Sequence, residues 1–312
     1  MSALRGADTQ VGPYATVTRS AIEVFPRKSY VLPLPGDRIL ALGERPLIMG
    51  VLNVTPDSFA GGITDPAAAC DAAVRMAAEG ADVIDIGGES TRPGADPVDA
   101  DEEMTRVLPV LRAAVGRLRV PISIDTKKAS VARAALDAGA LLVNDVSGLR
   151  HDPALAAVAA ERGAALILMH SRGDSKTMGE LAVYEDLVSE VAGELRAAVA
   201  AAGRAGVSAD HIILDPGIGF AKRPPHSYGV LARLPELAAA LDRPLLVGPS
   251  RKSFLREVTA DRPAPERDWA TAAAVTAAVL GGAHIVRVHA VAEMLQVVRT
   301  AEAIRKAGAI QT

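Results

Sequence analysis

Cysteine is nearly missing from this 312-residue sequence, where Cys70 stands alone. A single thiol excludes an intrachain disulfide and a thiolate metal cluster. Cys70 reads as a small apolar residue in a helix. Aromatic residues are scarce too, at 3% of the chain, so a large core must be built from Ala, Val, Leu and Ile. An excess of one charge is also lacking. The net charge is −3, which gives neither the basic footprint of a nucleic-acid binder nor a polybasic membrane patch. No apolar run reaches the roughly 18 residues of a membrane span. The N-terminus lacks the basic-then-apolar order of a secretory signal. These absences predict a soluble cytoplasmic protein with no nucleic-acid or membrane partner.

What is present is hydrophobic residue in quantity, 49% of the chain, set out in a repeated pattern. Residues 1–28 are mixed and polar without period, which predicts a poorly ordered tail whose deletion is harmless. Residues 29–45 read as two short strands around Pro35-Gly36-Asp37, a hairpin able to cover the bottom of a barrel. From Pro46 onward short apolar runs alternate with Ala-rich stretches. The runs are LIMGVLN (47–53), DVIDIG (82–87), VPISID (120–125), LLVND (141–145), AALILMH (164–170), HIILD (211–215), PLLVGPS (244–250) and HIVRVH (284–289). Helices are expected near 66–79, 100–117, 127–138, 153–162, 181–205, 227–241, 268–280 and 291–306. Eight alternating units predict an α/β fold of the (β/α)₈ TIM-barrel type, with an open doubly wound sheet as the alternative. The expected division is a tail and capping hairpin over 1–45 and a barrel over 46–312.

Each run is apolar and then turns polar at its C-terminal end. Those ends carry Asn53, the stretch from Gly87 to Arg92, Asp125, Asn144-Asp145, Met169-His170, Asp215, Ser250-Arg251-Lys252, and Arg287 with His289. In parallel barrels the active site lies at that face. Asn53 and Asp57 offer oxygens to a hard cation such as Mg²⁺, or close a turn through Asx hydrogen bonds. Gly87 and Gly88 permit close backbone approach to a ligand. Asp125, Asn144 and Asp215 can accept from the edge of an aromatic heterocycle, or form an interior network with Lys or Arg. Lys252 faces an anion or a flat ring, or is a solvated helix-start cation. Arg287 and His289 lie two apart on one side of a strand, a pattern that suits a diphosphate clamp. His151, His211, His226 and His284 read as structural or exposed. His170 has no evident partner, and the charged stretch Asp261–Asp268 reads as a solvated loop.

The segments NVTPDSF, DIGGESTRPGA, SIDT, NDVSG, DPGIGFAK, GPSRKSF and RVH follow one another in order at strand ends. Together they resemble the dihydropteroate synthase family over residues 46–305. The resemblance implies condensation of a dihydropterin methyl diphosphate with 4-aminobenzoate, in a homodimer that uses Mg²⁺. It implies that Asn53 holds Mg²⁺ and diphosphate with Arg287 and His289. Asp125, Asn144, Asp215, Lys252 and Met169 would hold the pterin. Thr91, Arg92, Pro93, Phe220 and Ser253 would shape the aminobenzoate pocket. Ala290 stands where the family often has Asp, and Ser227 where Asn is common. A pterin-binding methyltransferase barrel is the rival of related fold, and it needs neither RVH nor NVTPDSF. A relative that binds ligand without catalysis is the rival of another class.

Overall fold

The computed structural model describes residues 25–55, 63–92 and 94–309. Strands β1 (Tyr30–Leu34) and β2 (Arg38–Leu42) form an antiparallel hairpin. Eight further strands run parallel. They are β3 (Leu47–Asn53), β4 (Val83–Gly87), β5 (Ile122–Asp125), β6 (Leu142–Asp145), β7 (Ala165–Met169), β8 (Ile212–Asp215), β9 (Leu246–Val247) and β10 (Ile285–Val288). Their order is β8-β7-β6-β5-β4-β3-β10-β9. A parallel bridge between Leu214 and Leu245 joins β8 to the segment leading into β9. The ring therefore closes, which removes the open-sheet alternative.

Nine α-helices lie among the described residues. They are α1 (Pro66–Ala78), α2 (Ala100–Val115), α3 (Ala129–Asp137), α4 (Ala154–Arg162), α5 (Leu187–Arg204), α6 (Pro224–Ala232), α7 (Leu234–Leu241), α8 (Asp268–Leu280) and α9 (Val291–Ala309). Three departures from expectation have local causes. The helix expected over 227–241 is broken into α6 and α7 around Arg233, because Pro235 has no N–H to continue the ladder. The strand expected over 244–250 keeps two residues, since Pro244 and Pro249 cannot donate. The helix expected from residue 181 begins at Leu187, where the Asp186 carboxylate caps the amides of Val188 and Ser189.

The core has two parts. Outside the strands, Ile48, Ile84, Ile86, Ile124, Leu166 and Leu214 pack against the helices. Inside the barrel, Leu47, Met49, Val83, Leu142, Ile167, Ile213, Leu246 and Ile285 pack with Leu32, Leu34, Leu40 and Leu42 of the hairpin. The hairpin thus closes the N-terminal end of the barrel and leaves only the opposite end open.

The expectation of an unstructured tail to residue 28 fails at its last residues. Arg27 is buried, with Nε donating to the Ala283 carbonyl and Nη1 pairing with Glu302 of α9 at 3.1 Å. The Lys28 carbonyl lies 2.9 Å from His284 Nε2. A buried guanidinium that satisfies two carbonyls and a carboxylate is part of the fold, so a deletion through residue 28 removes packed structure.

Candidate active site

The open end of the barrel holds a cavity of about 710 Å³. Period-two alternation builds it. Along β3, Met49 faces the apolar floor, while Val51 and Asn53 line the cavity. Along β10, Ile285 faces the floor, and Arg287 and then His289 line the cavity. Asp125, Met169 and Asp215 occupy the last positions of β5, β7 and β8, and Asn144 the last but one of β6. All four line the same cavity, as do Thr91, Arg92, Phe220, Lys252 and Ser253. Pro93 lies outside the described residues, as does the first loop from Pro56 to Gly62 with Asp57.

Above the apolar floor lies an ionic network. Arg287 Nε donates to Asp85 Oδ2 at 2.6 Å and Nη2 to Asp125 Oδ2 at 2.7 Å. Asn144 Nδ2 donates to the same Asp85 oxygen at 3.0 Å. The interior-network reading of Asp125 and Asn144 therefore describes their contacts, and both side chains also line the cavity. Burial pushes the Asp125 carboxyl up to about 7, with Arg287 opposing and Asp85 adding to the rise. Burial works against the charge on Arg287, yet Asp85 and Asp125 hold it above its ordinary value. Burial likewise raises Asp215, against the pull of Lys252 and the Gly217 amide.

Lys252 is no solvated helix-start cation. Its Nζ donates to the Ile218 carbonyl at 2.7 Å and sits 4.5 Å from the Phe220 ring centre. Burial brings it down to about 8, although Asp215 opposes the fall. The neighbouring Arg251 adopts φ +59° and is held there by a two-bond ion pair with Asp268. His289 meets Ser250 twice: the His289 amide donates to Ser250 Oγ, and Oγ lies 3.0 Å from Nδ1. When Oγ donates its proton to Nδ1, Nε2 carries the ring proton and is the free donor. Burial lowers this imidazole to about 3, with Arg251 and Arg287 adding to the effect, so it is neutral at pH 7.

Four expectations need correction. Gly88 does not open room for a ligand. A Cβ on Gly88 would stand 2.7 Å from Val107 and 3.1 Å from Glu103, so this glycine seats α2 against the strand end. Glu89 beside it does line the cavity, and it pairs with Lys127 at 2.9 Å and with Lys128. The stretch Asp261–Asp268 is not simply a solvated loop, because Asp261, Pro263, Ala264 and Arg267 line the outer cavity. Arg267 draws it inward by donating to the carbonyls of Arg262 and Arg251. His170 does have a partner: its Nδ1 lies 2.8 Å from Lys222 Nζ. Asp85 went unassigned as a site residue. Its signal was an acidic residue on the inward side of the apolar run VIDIG.

Ser227, one of the departures, is fully buried, and its Oγ accepts the Gly219 amide at 3.2 Å. It serves the loop that carries Phe220. Ala290 precedes α9 and lends only its carbonyl, to Met294.

For a metal, no group of three His, Cys, Asp or Glu side chains is suitably placed among the described residues. The mouth instead offers the Asn53 carboxamide and the Thr55 hydroxyl, which is buried with no hydrogen-bond partner among those residues. Few neutral oxygens suit Mg²⁺, which takes the rest of its shell from water and phosphate.

A slot with Phe220 in its wall, acceptors on several strand ends and a cationic rim define the class: a pterin-binding enzyme built on a parallel barrel. The family description Pterin binding enzyme matches residues 49–289. The dihydropteroate synthase of Synechocystis sp. is 48% identical, over 87% of this chain and 95% of that protein. That of Bacillus subtilis is 44% identical, over 87% and 93%. The solved structure of the Burkholderia cenocepacia synthase complexed with 7,8-dihydropteroate superposes with a TM-score of 0.81. It is 44% identical and covers 91% of this chain and all of its own. A Yersinia pestis synthase with a sulfonamide drug complex superposes with a TM-score of 0.83 at 40% identity, over 88% and 98%. The chain belongs to the dihydropteroate synthase family.

Proposed function

We propose that this enzyme joins the methylene carbon of a (7,8-dihydropterin-6-yl)methyl diphosphate to the amine of 4-aminobenzoate, giving 7,8-dihydropteroate and diphosphate. The observation that carries the reading is the convergence of Asp125, Asn144, Asp215, Lys252 and Arg287 from separate strand ends on one cavity. Asp125, Asn144 and Asp215 present acceptors to the amino and amide edge of the pterin, and Met169 packs against its face. Thr91, Arg92, Phe220 and Ser253 form the aminobenzoate side, with Pro93 assigned there by resemblance. Asn53 would hold Mg²⁺, which neutralises diphosphate charge when bound.

In the reaction the C–O bond to diphosphate breaks, the C–N bond forms, and the amine gives its proton to solvent. Arg287 and the Nε2–H of His289 stabilise charge gathering on the leaving oxygens. The carboxylates of Asp125 and Asp215 stabilise the cation that develops on the pterin side. The step is loose and SN1-like with no covalent enzyme intermediate, and no general base is obligatory, because the arylamine is a free base at neutral pH. Among the described residues no helix is long and apolar enough to cross a membrane. A cytoplasmic homodimer is the proposed state.

The test is diphosphate release by the purified protein with Mg²⁺, with and without 4-aminobenzoate. Release coupled to dihydropteroate formation is expected, with kcat/KM falling roughly 10²- to 10³-fold in Arg287→Ala. Tight pterin binding without turnover in a folded, metal-supplied protein would refute the reading.

A further inference from the structure

We propose that Asp85 is the positioning residue of this site, a carboxylate with no face on the cavity that aims Arg287 at the leaving group and Asn144 at the pterin. The ligand names rest on the reading above; the geometry does not.

Asp85 is fully buried in the middle of β4. In the sheet, β3 separates β4 from β10, and β5 separates β4 from β6. Asp85 therefore reaches Arg287 and Asn144 through the barrel interior, not along a shared ladder. One oxygen, Oδ2, takes both Arg287 Nε and Asn144 Nδ2. With Nε committed to Asp85 and Nη2 to Asp125, the planar guanidinium is fixed in direction. Among the described residues no acceptor takes Nη1, and Arg287 lines the cavity. Nη1 is then the edge left for an anion.

Arg287 meets two carboxylates, and the one without a face on the cavity is Asp85. Its Oδ1 is buried without a hydrogen-bond partner among the described residues. Such a group costs stability, and the geometry shows what it does in exchange: it holds two ligand-facing side chains of different strands in one orientation. A residue kept for packing or neutrality would not show that cost. The two roles therefore predict opposite pairings of stability and affinity.

The test is Asp85→Asn, nearly equal in volume and uncharged. Its melting temperature is expected at or above that of the wild type. The Kd for inorganic diphosphate with Mg²⁺ is expected to rise roughly 10- to 100-fold. KM for the pterin diphosphate should rise with it, while KM for 4-aminobenzoate stays within about twofold. Lower stability with unchanged diphosphate affinity overturns the proposal. A crystal structure of the variant reads the aim without any substrate: a displaced Arg287 supports the proposal, and an unmoved one overturns it. Should Asp85→Asn fail to fold, the exchange Asp85→Asn with Asn144→Asp keeps the charge and the pair while taking the carboxylate from Nε. The same loss of diphosphate affinity is expected there, and full affinity overturns the proposal. A wild-type protein that makes no dihydropteroate refutes the assigned reaction and leaves the Arg287 readout standing.

Discussion

Lys222 shows how a single side chain can carry a charge cost away from the ligand. Its ammonium is buried and donates to the Phe220 carbonyl, with His170 Nδ1 2.8 Å away. Burial lowers it to about 7, with Asp215 opposing, and burial lowers His170 to about 4, so a neutral imidazole accepts from a weakly held proton. The folded value lies below the unfolded one of 10.5. Below pH 7 both states carry the proton; between about 7 and 10.5 the unfolded chain binds more, so stability rises with pH. The slope approaches about 1.4 kcal/mol per pH unit, and Lys252 contributes from about pH 8. Lys222→Met is expected to flatten this rise in denaturant titrations at pH 7, 8 and 9. An unchanged slope would show that Lys222 stays protonated. At this scale the sequence revealed the ligand-facing residues, since polar groups ending apolar runs stand out. It did not reveal Asp85 or Lys222, whose partners lie 202 and 52 residues away and meet only once the barrel has closed.

At the scale of elements, the eight βα units and the hairpin were legible because burial writes period two and period 3.6 directly into the sequence. The boundaries that moved were decided by proline and by caps, as at Pro235 and Asp186. One boundary is weakly made. Helix α9 starts after Ala290, whose side chain cannot accept an amide proton, whereas Asp65 and Asp99 accept at the starts of α1 and α2. Ala290→Asp is expected to stabilise the protein by about 1 kcal/mol through capping and the helix dipole. The check is thermal melting, where the shift should be upward by a few degrees; a fall would mean that a carboxylate next to His289 costs more than the cap returns. The hairpin illustrates the opposite case. Two short strands were legible there, yet the partners of Leu32, Leu34, Leu40 and Leu42, such as Leu47 and Ile285, come from strands up to the far end of the chain.

For the whole molecule, eight alternating units predicted a barrel with an open sheet as the alternative, and they showed neither the closure nor how evenly the ring is fastened. Strands β3 and β4 pair over five positions, whereas β9 pairs with β10 over two and meets β8 through one bridge. The binding mouth straddles that join, with Asp215 on one side and Gly248 and Lys252 on the other. The barrel is thus a garment laced on every side but one, and the ligand is placed to tie the last knot. Amide exchange around Leu214 and Leu246 should be the fastest among the barrel strands in the free protein and should slow most when pterin binds. Equal protection of all strands would mean that the floor and the hairpin already hold the join. If the knot is real, the enzyme is at its loosest when empty, and compounds that fill only the pterin half of the cavity will act as fasteners of the fold as well as competitors for the site.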